Sequence, residues 1–158
     1  MAVKRSEVFE WISTLVRLAM AGILIFAAIP KIQDIPQSII AVRAYRLVPE
    51  PIVPFVGTML PFLELTLALF LILGLFTRIA AIVWLVMMAA FMFGVIWAWA
   101  NGLSIDCGCF GGGGEVPEGT TNYPKHLAER IGFVLLGTWL LIYPMSRFSV
   151  DRWMRATV

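Results

Sequence analysis

Cys107 and Cys109 are the chain's two cysteines, and a single residue, Gly108, separates them. Thiols so spaced hold their α-carbons at most ~7 Å apart, near the outer limit for a disulfide. Gly108 relieves the backbone, since glycine takes positive φ without steric cost. A disulfide closed over so short a loop removes little entropy from the unfolded chain, so stabilisation is a poor reason to have one. A strained, exposed disulfide is oxidising and labile, which is the profile of an exchanging pair. The structural alternatives are a passive disulfide that pins the loop, or two thiols with no role. A metal centre is the third reading, with Cys107, Cys109, His126 and Asp106 as ligands, but their spacing matches no common zinc pattern.

Phe110 and the run Gly111 to Gly114 follow the pair at once. Four glycines make a pliable, shallow surface that another chain's backbone can approach closely. That suits docking of a thioredoxin-like partner, which must bring its own thiolate to the sulfur. The plain alternative is a floppy turn.

Two ionisable residues, Arg17 and Glu64, interrupt otherwise apolar runs. Such groups cost at least ~2.5–3.5 kcal/mol on membrane-insertion scales, so each needs a partner or a wet cavity. The two are candidates for one intramembrane polar pair. Arg17 sits shallower than Glu64, a gap that a snorkelling arginine closes in part, and Lys31 is the competing partner. A proton- or quinone-handling site is the functional reading, and a buried pair that fixes helix packing is the simpler one. Trp97 and Trp99 could flank a quinone headgroup, yet interfacial tryptophans are ordinary belt residues. Met87, Met88 and Met92 read first as adaptable packing. His126, in a Pro-Lys-His-Leu context, is expected to cap a helix or lie at the interface.

The elements that position these residues are greasy. Of 158 residues 60% are hydrophobic and 14% charged, with a mean hydropathy of +0.88, against about 25% charged in soluble domains. Four apolar runs, at about 11–29, 55–76, 79–100 and 127–144, can each cross ~30 Å of hydrocarbon. The fold expected is all-α: an integral membrane four-helix transmembrane bundle forming one domain over 1–158. Pro30-Lys31 should close the first span, and its lack of a cleavage site marks it as an anchor. Pro36 opens a short amphipathic helix, Gln37 to Leu47, placed at the interface between spans one and two. There Ile39, Ile40, Val42 and Leu47 face apolar material while Arg43 and Arg46 stay wet. A tight Thr77-Arg78 turn makes spans two and three antiparallel neighbours.

The net charge of +2 is small and dispersed, which excludes a nucleic-acid footprint or a polybasic lipid patch. Lys4, Arg5, Arg78, Arg147, Arg152 and Arg155 fall on one side of the spans. Lys31, Arg43, Arg46, Lys125 and, at the border, Arg130 fall on the other. The excess puts both termini in the cytoplasm and the thiol loop outside, in the oxidising compartment.

The chain resembles the DoxX-like superfamily of small four-helix membrane proteins, specifically its MauE-type branch. The resemblance rests on Arg-Ala-Tyr-Arg-Leu-Val-Pro (43–49), Leu-Pro-Phe-Leu-Glu-Leu (60–65), Gly-Leu-Phe-Thr-Arg (74–78) and, most specifically, Asp-Cys-Gly-Cys-Phe-Gly (106–111). It implies a redox-associated protein of the bacterial plasma membrane. MauE-type members are linked to maturation of a disulfide-rich periplasmic subunit in methylamine use, and relatives are thought to serve thiol-disulfide exchange. The implied functional pair is Cys107 and Cys109, and Glu64 matches the family's acidic residue in the second span. The link to methylamine itself is not carried over.

The leading expectation is a thiol-disulfide redox protein exchanging with an extracytoplasmic thioredoxin-fold partner. No cofactor is evident, and membrane quinone is the candidate terminal acceptor. The rival is a non-enzymatic accessory or assembly subunit of a larger membrane complex, respiratory for example, with the thiol loop a static clasp. A transporter is disfavoured, because four spans without a broken-helix pair leave little room for a gated path.

Overall fold

A computed structural model describes residues 2–156, and side chains from 7 to 154. Lys4, Arg5 and Arg155, used in the charge count above, lie outside the described side chains. The chain forms α1 (Ala2–Gln33), α2 (Ile35–Ala44), α3 (Val53–Leu73), α4 (Thr77–Ala100), α5 (Tyr123–Ile142) and α6 (Val150–Ala156). Between α4 and α5 lies a two-stranded antiparallel hairpin, β1 (Ile105–Asp106) and β2 (Gly114–Glu115). Three stretches, Glu7–Gln33, Val53–Leu73 and Thr77–Ala100, are long and apolar enough to cross a membrane. The protein is a multi-pass membrane protein. Helix α5 is 20 residues long, but Lys125, Glu129 and Arg130 crowd its first half.

The expected boundaries shift where capping chemistry decides them. Helix α1 does not stop at Pro30 but runs on to Gln33. Proline gives up its own donor and crowds the carbonyl four residues back, yet the helix continues, the Asp34 amide donating to the Pro30 carbonyl at 3.2 Å. Asp34 then caps α2, its carboxylate accepting from the Gln37 amide at 3.0 Å, with Pro36 in the first turn. The turn between α3 and α4 is Gly74 to Phe76, not Thr77-Arg78, which open α4. Helix α4 lacks a local side-chain cap. Asp151 of α6 supplies one from afar, accepting from the Phe76 and Thr77 amides at 2.8 Å each.

Helix α1 packs along α3, and α4 along α5. The core holds Met20, Leu24, Leu71, Trp84 and Leu140, each nearly inaccessible. Trp84 satisfies its indole by donating to the Phe133 carbonyl at 2.8 Å. The outer faces are apolar as well: Phe26, Phe55 and Val86 are all exposed, as expected of surfaces meant for lipid rather than water.

Helix α2 lies across the start of α3 on a small-residue face, Ser38, Ala41 and Ala44. Ser38 Oγ donates to the Gly57 carbonyl at 2.7 Å. A Cβ on Gly57 would come within 2.7 Å of the Ile39 α-carbon. The small face thus brings α2 into backbone contact with α3. Ile40, Arg43 and Arg46 are exposed, and Ile39, Val42 and Leu47 are half-buried.

Candidate functional site

The cysteines stand on the turn of the hairpin, directly after β1. The segment expected to be pliable is folded down onto α2. Gly108 and Gly113 both take positive φ, and a Cβ on either would clash with the Ala41 methyl, at 2.8 and 2.5 Å. Gln37 Nε2 donates to the Gly113 carbonyl at 2.5 Å. The Asp106 carboxylate accepts from the Gly113 amide at 3.3 Å. Arg46 and Glu115 pair at 2.7 Å on the outer side. Phe110 wedges between helices, its ring 5.8 Å from that of Phe26 and 6.3 Å from that of Phe133. The glycine run is therefore close packing against α2, not a free loop tip.

Both thiols are free and half-buried. Arg130 reaches them from α5: it is 3% exposed, and its Nη2 lies 2.5 Å from Cys109 Sγ. Its Nη1 donates to the His126 carbonyl at 2.9 Å, which fixes the fork. His126 Nδ1 lies 3.7 Å from Cys107 Sγ and 3.8 Å from Glu129. His126 and Arg130 are four residues apart and so share one face of α5. Tyr45, from the end of α2, donates its hydroxyl to the Cys107 carbonyl at 3.1 Å, and burial pushes its phenol well above the usual range.

The site electrostatics favour one negative charge on the pair. Cys107 is lowered to about 5, first by the hydrogen bond from the Cys109 thiol and then, against the opposing effect of burial, by the Arg130 guanidinium. Cys109 is pushed well up, because it gives that hydrogen bond and is buried beside the charge it helps create. The low ionisation belongs to the coupled pair, with Cys107 as its main carrier. A thiolate at neutral pH is the nucleophilic form of cysteine.

Of the two roles expected for His126, capping or an interfacial position, the structure rules out capping. The cap of α5 is instead Asn122, which accepts from the Lys125 amide at 3.1 Å and frees the imidazole for Cys107. Arg130 enters the sequence reading only as a border charge; its i,i+4 spacing from His126, at the polar start of α5, is the available signal.

Arg17 and Glu64 are not brought together. Glu64, 2% exposed, pairs with Lys31 at 2.6 Å, and Lys31 also stands 6.0 Å over the Phe91 ring. Arg17, 2% exposed, lies at the opposite end of the helices and donates to the Phe148 carbonyl at 3.3 Å. Antiparallel packing of α1 on α3 sets Lys31 level with Glu64 and leaves Arg17 about 21 Å of helix away. Trp97 and Trp99 are exposed on the outside of α4, Trp99 stacking on Tyr123.

Two cavities meet at the thiols. One, of about 160 Å³, descends from Asp106 and His126 past Cys109 to Glu64, between α1, α4 and α5. The other, of about 420 Å³, lies between α2, α3 and α4. Among the described residues no group of three or more His, Cys, Asp or Glu side chains is placed to hold a metal ion.

Fold and site together define a multi-pass membrane protein that holds a paired-thiol hairpin against a buried arginine at one end of its helices. The family model for methylamine utilisation protein MauE matches residues 9–143, and the chain belongs to the MauE family. Neither a curated protein nor a solved structure matches it.

Proposed function

We propose that this protein is a membrane-embedded thiol-disulfide exchanger that works through Cys107 and Cys109. The observation that carries the reading is the buried Arg130 guanidinium 2.5 Å from Cys109, beside a Cys107 thiol lowered to about 5. A structural clasp needs neither a buried cation nor a stabilised thiolate.

Cys107 thiolate attacks a partner disulfide, forming a mixed disulfide and releasing one partner thiolate. Cys109 then attacks the Cys107 sulfur, closing the intramolecular disulfide and releasing the second partner thiolate. Once Cys107 is engaged, Arg130 favours the thiolate of Cys109. The reverse sequence passes a disulfide outward. The family's description supports an accessory role in methylamine utilisation, and the partner we propose is an extracytoplasmic thioredoxin-fold protein.

In this reading α5 is a fourth span, its charged first half lying at the thiol end, and α2 is an interfacial helix beneath the hairpin. The whole chain forms one domain in a bacterial plasma membrane, with both termini cytoplasmic and the thiols outside. A membrane-impermeant maleimide applied to intact, reduced cells should label Cys107 within the time that labels an external control. Protection until lysis reverses the orientation.

Exchange itself is tested with the oxidised protein in nanodiscs and a reduced thioredoxin. Thiols should appear on Cys107 and Cys109 as they vanish from thioredoxin, pair for pair. An unchanged thiol count on both proteins, with Cys107 and Cys109 verified as oxidised, sinks the proposal.

A further inference from the structure

The cavities beneath the thiols have a shape and chemistry that the exchange reaction does not use. The smaller, about 160 Å³, matches the ~150 Å³ apolar cavity that suffices for a single benzene ring. Its walls include Trp84, Phe91 and Phe133, and its floor is Glu64. The Glu64 Oε1 is taken by Lys31 at 2.6 Å, while Oε2 has no hydrogen-bond partner among the described residues. An acceptor-rich buried oxygen left open at the floor of an apolar cavity is costly unless something with a polar edge meets it. The larger cavity, about 420 Å³, shares Phe91, Cys107 and Cys109 with the first. Its rim includes Ala90 and Phe93, both exposed on the apolar outer side of α4. A route therefore leads from the lipid-facing side, between α3 and α4, to the sulfurs.

We infer that this chamber binds a membrane-soluble quinone, its ring in the small cavity between Cys109 and Glu64 and its apolar tail in the larger one, past Lys31. The ring fits the volume and the aromatic walls. The tail matches the lipid-side opening. Lys31 lines the larger cavity; lysine carries three donor protons, of which one goes to Glu64, so the ammonium can also meet a quinone carbonyl turned toward that side. Glu64 Oε2 can accept from the hydroxyl of the quinol.

The site rests on the exchange reading for its electrons. In the reaction the Cys107 thiolate and the Cys109 thiol lose two electrons and one proton, and a sulfur–sulfur bond forms. The two quinone oxygens gain those two electrons, the Cys109 proton and a second proton from water, giving a quinol. Exchange with a partner dithiol then returns Cys107 and Cys109 to thiols, so the partner is oxidised and the quinone pool is the sink.

The test uses the full chain in nanodiscs. The reduced protein is mixed with decylubiquinone, and quinol formation is read against free thiols. A photoactivatable azidoquinone, with and without excess decylubiquinone, maps contact by peptide analysis in wild type and in the Cys107→Ser/Cys109→Ser variant. The expected result is one quinol for each thiol pair lost. Label displaced by decylubiquinone should fall on the peptides bearing Phe91 or Phe133, and should persist in the double-serine variant, which makes no quinol. Exchange with thioredoxin that proceeds without quinol formation, and label that decylubiquinone does not displace, overturn the quinone site and leave exchange standing. Displaced label on those peptides without any thioredoxin exchange supports the site and removes the exchange reading instead.

Discussion

Replacing Arg130 with methionine is expected to raise the pH midpoint for alkylation of Cys107 by roughly 1–3 units, the usual effect of removing an adjacent opposite charge. The wild-type thiol is lowered to about 5, against ~8.5 for an ordinary cysteine. Because the charged form reacts, the wild-type rate with iodoacetamide should be level across neutral pH and fall only as pH drops through about 5. In Arg130→Met the fall begins nearer neutrality. At pH 7 the thiolate fraction, and with it the exchange rate, should drop by up to about tenfold. Arg130→Lys keeps the charge without the fork, so it should retain much of the low midpoint. A purely structural arginine would destabilise the protein on substitution and leave the midpoint in place. The hydrogen bond from Cys109 is the larger cause of the lowered Cys107 value, so Cys109→Ser should raise the midpoint too.

The second large effect concerns the pair beneath the thiols. Glu64→Leu leaves the Lys31 ammonium, 6% exposed, without its partner, and breaking a buried pair in this way costs roughly 3–5 kcal/mol. Replacing both residues by apolar ones of similar size, Lys31→Met with Glu64→Leu, should recover most of that loss, since a buried ion pair is often no more stabilising than well-packed hydrophobic residues. Thermal unfolding in detergent compares the wild type, Glu64→Leu, Lys31→Met and the double variant. A double variant as unstable as the sum of its singles contradicts the pairing. The double variant should fold and yet fail to form quinol, which separates the pair's packing role from its role at the ring.

What the residues disclosed on their own follows from how locally each feature is encoded. The spans in α1, α3 and α4 are written in long apolar runs, and their ends missed by a few residues because Asp34, Gly74 and the distant Asp151 set them. Asp151 caps α4 from 75 residues away, a contact that no local pattern announces. The Cys-Gly-Cys pair was legible because residue type and spacing alone limit what two thiols can do. Its activating group was not, since Arg130 meets Cys109 only when α5 folds back beside α4. Lys31 was in view as the rival to Arg17, and simple depth arithmetic for antiparallel helices favours it. The hairpin escaped detection because two-residue strands carry no periodicity. Its glycines looked like flexibility, whereas Gly108 and Gly113 answer to the Ala41 methyl.

The measurement closest to the central claim is a trap for the mixed disulfide. Cells carrying Cys109→Ser, which keeps the attacking sulfur and removes the resolving one, should accumulate a disulfide-linked adduct on non-reducing gels. The adduct should vanish on reduction and contain a thioredoxin-fold protein. Cys107→Ser, which keeps only the resolving sulfur, should accumulate less adduct. If neither variant forms an adduct and both support function as well as the wild type, Cys107 and Cys109 are not an exchanging pair.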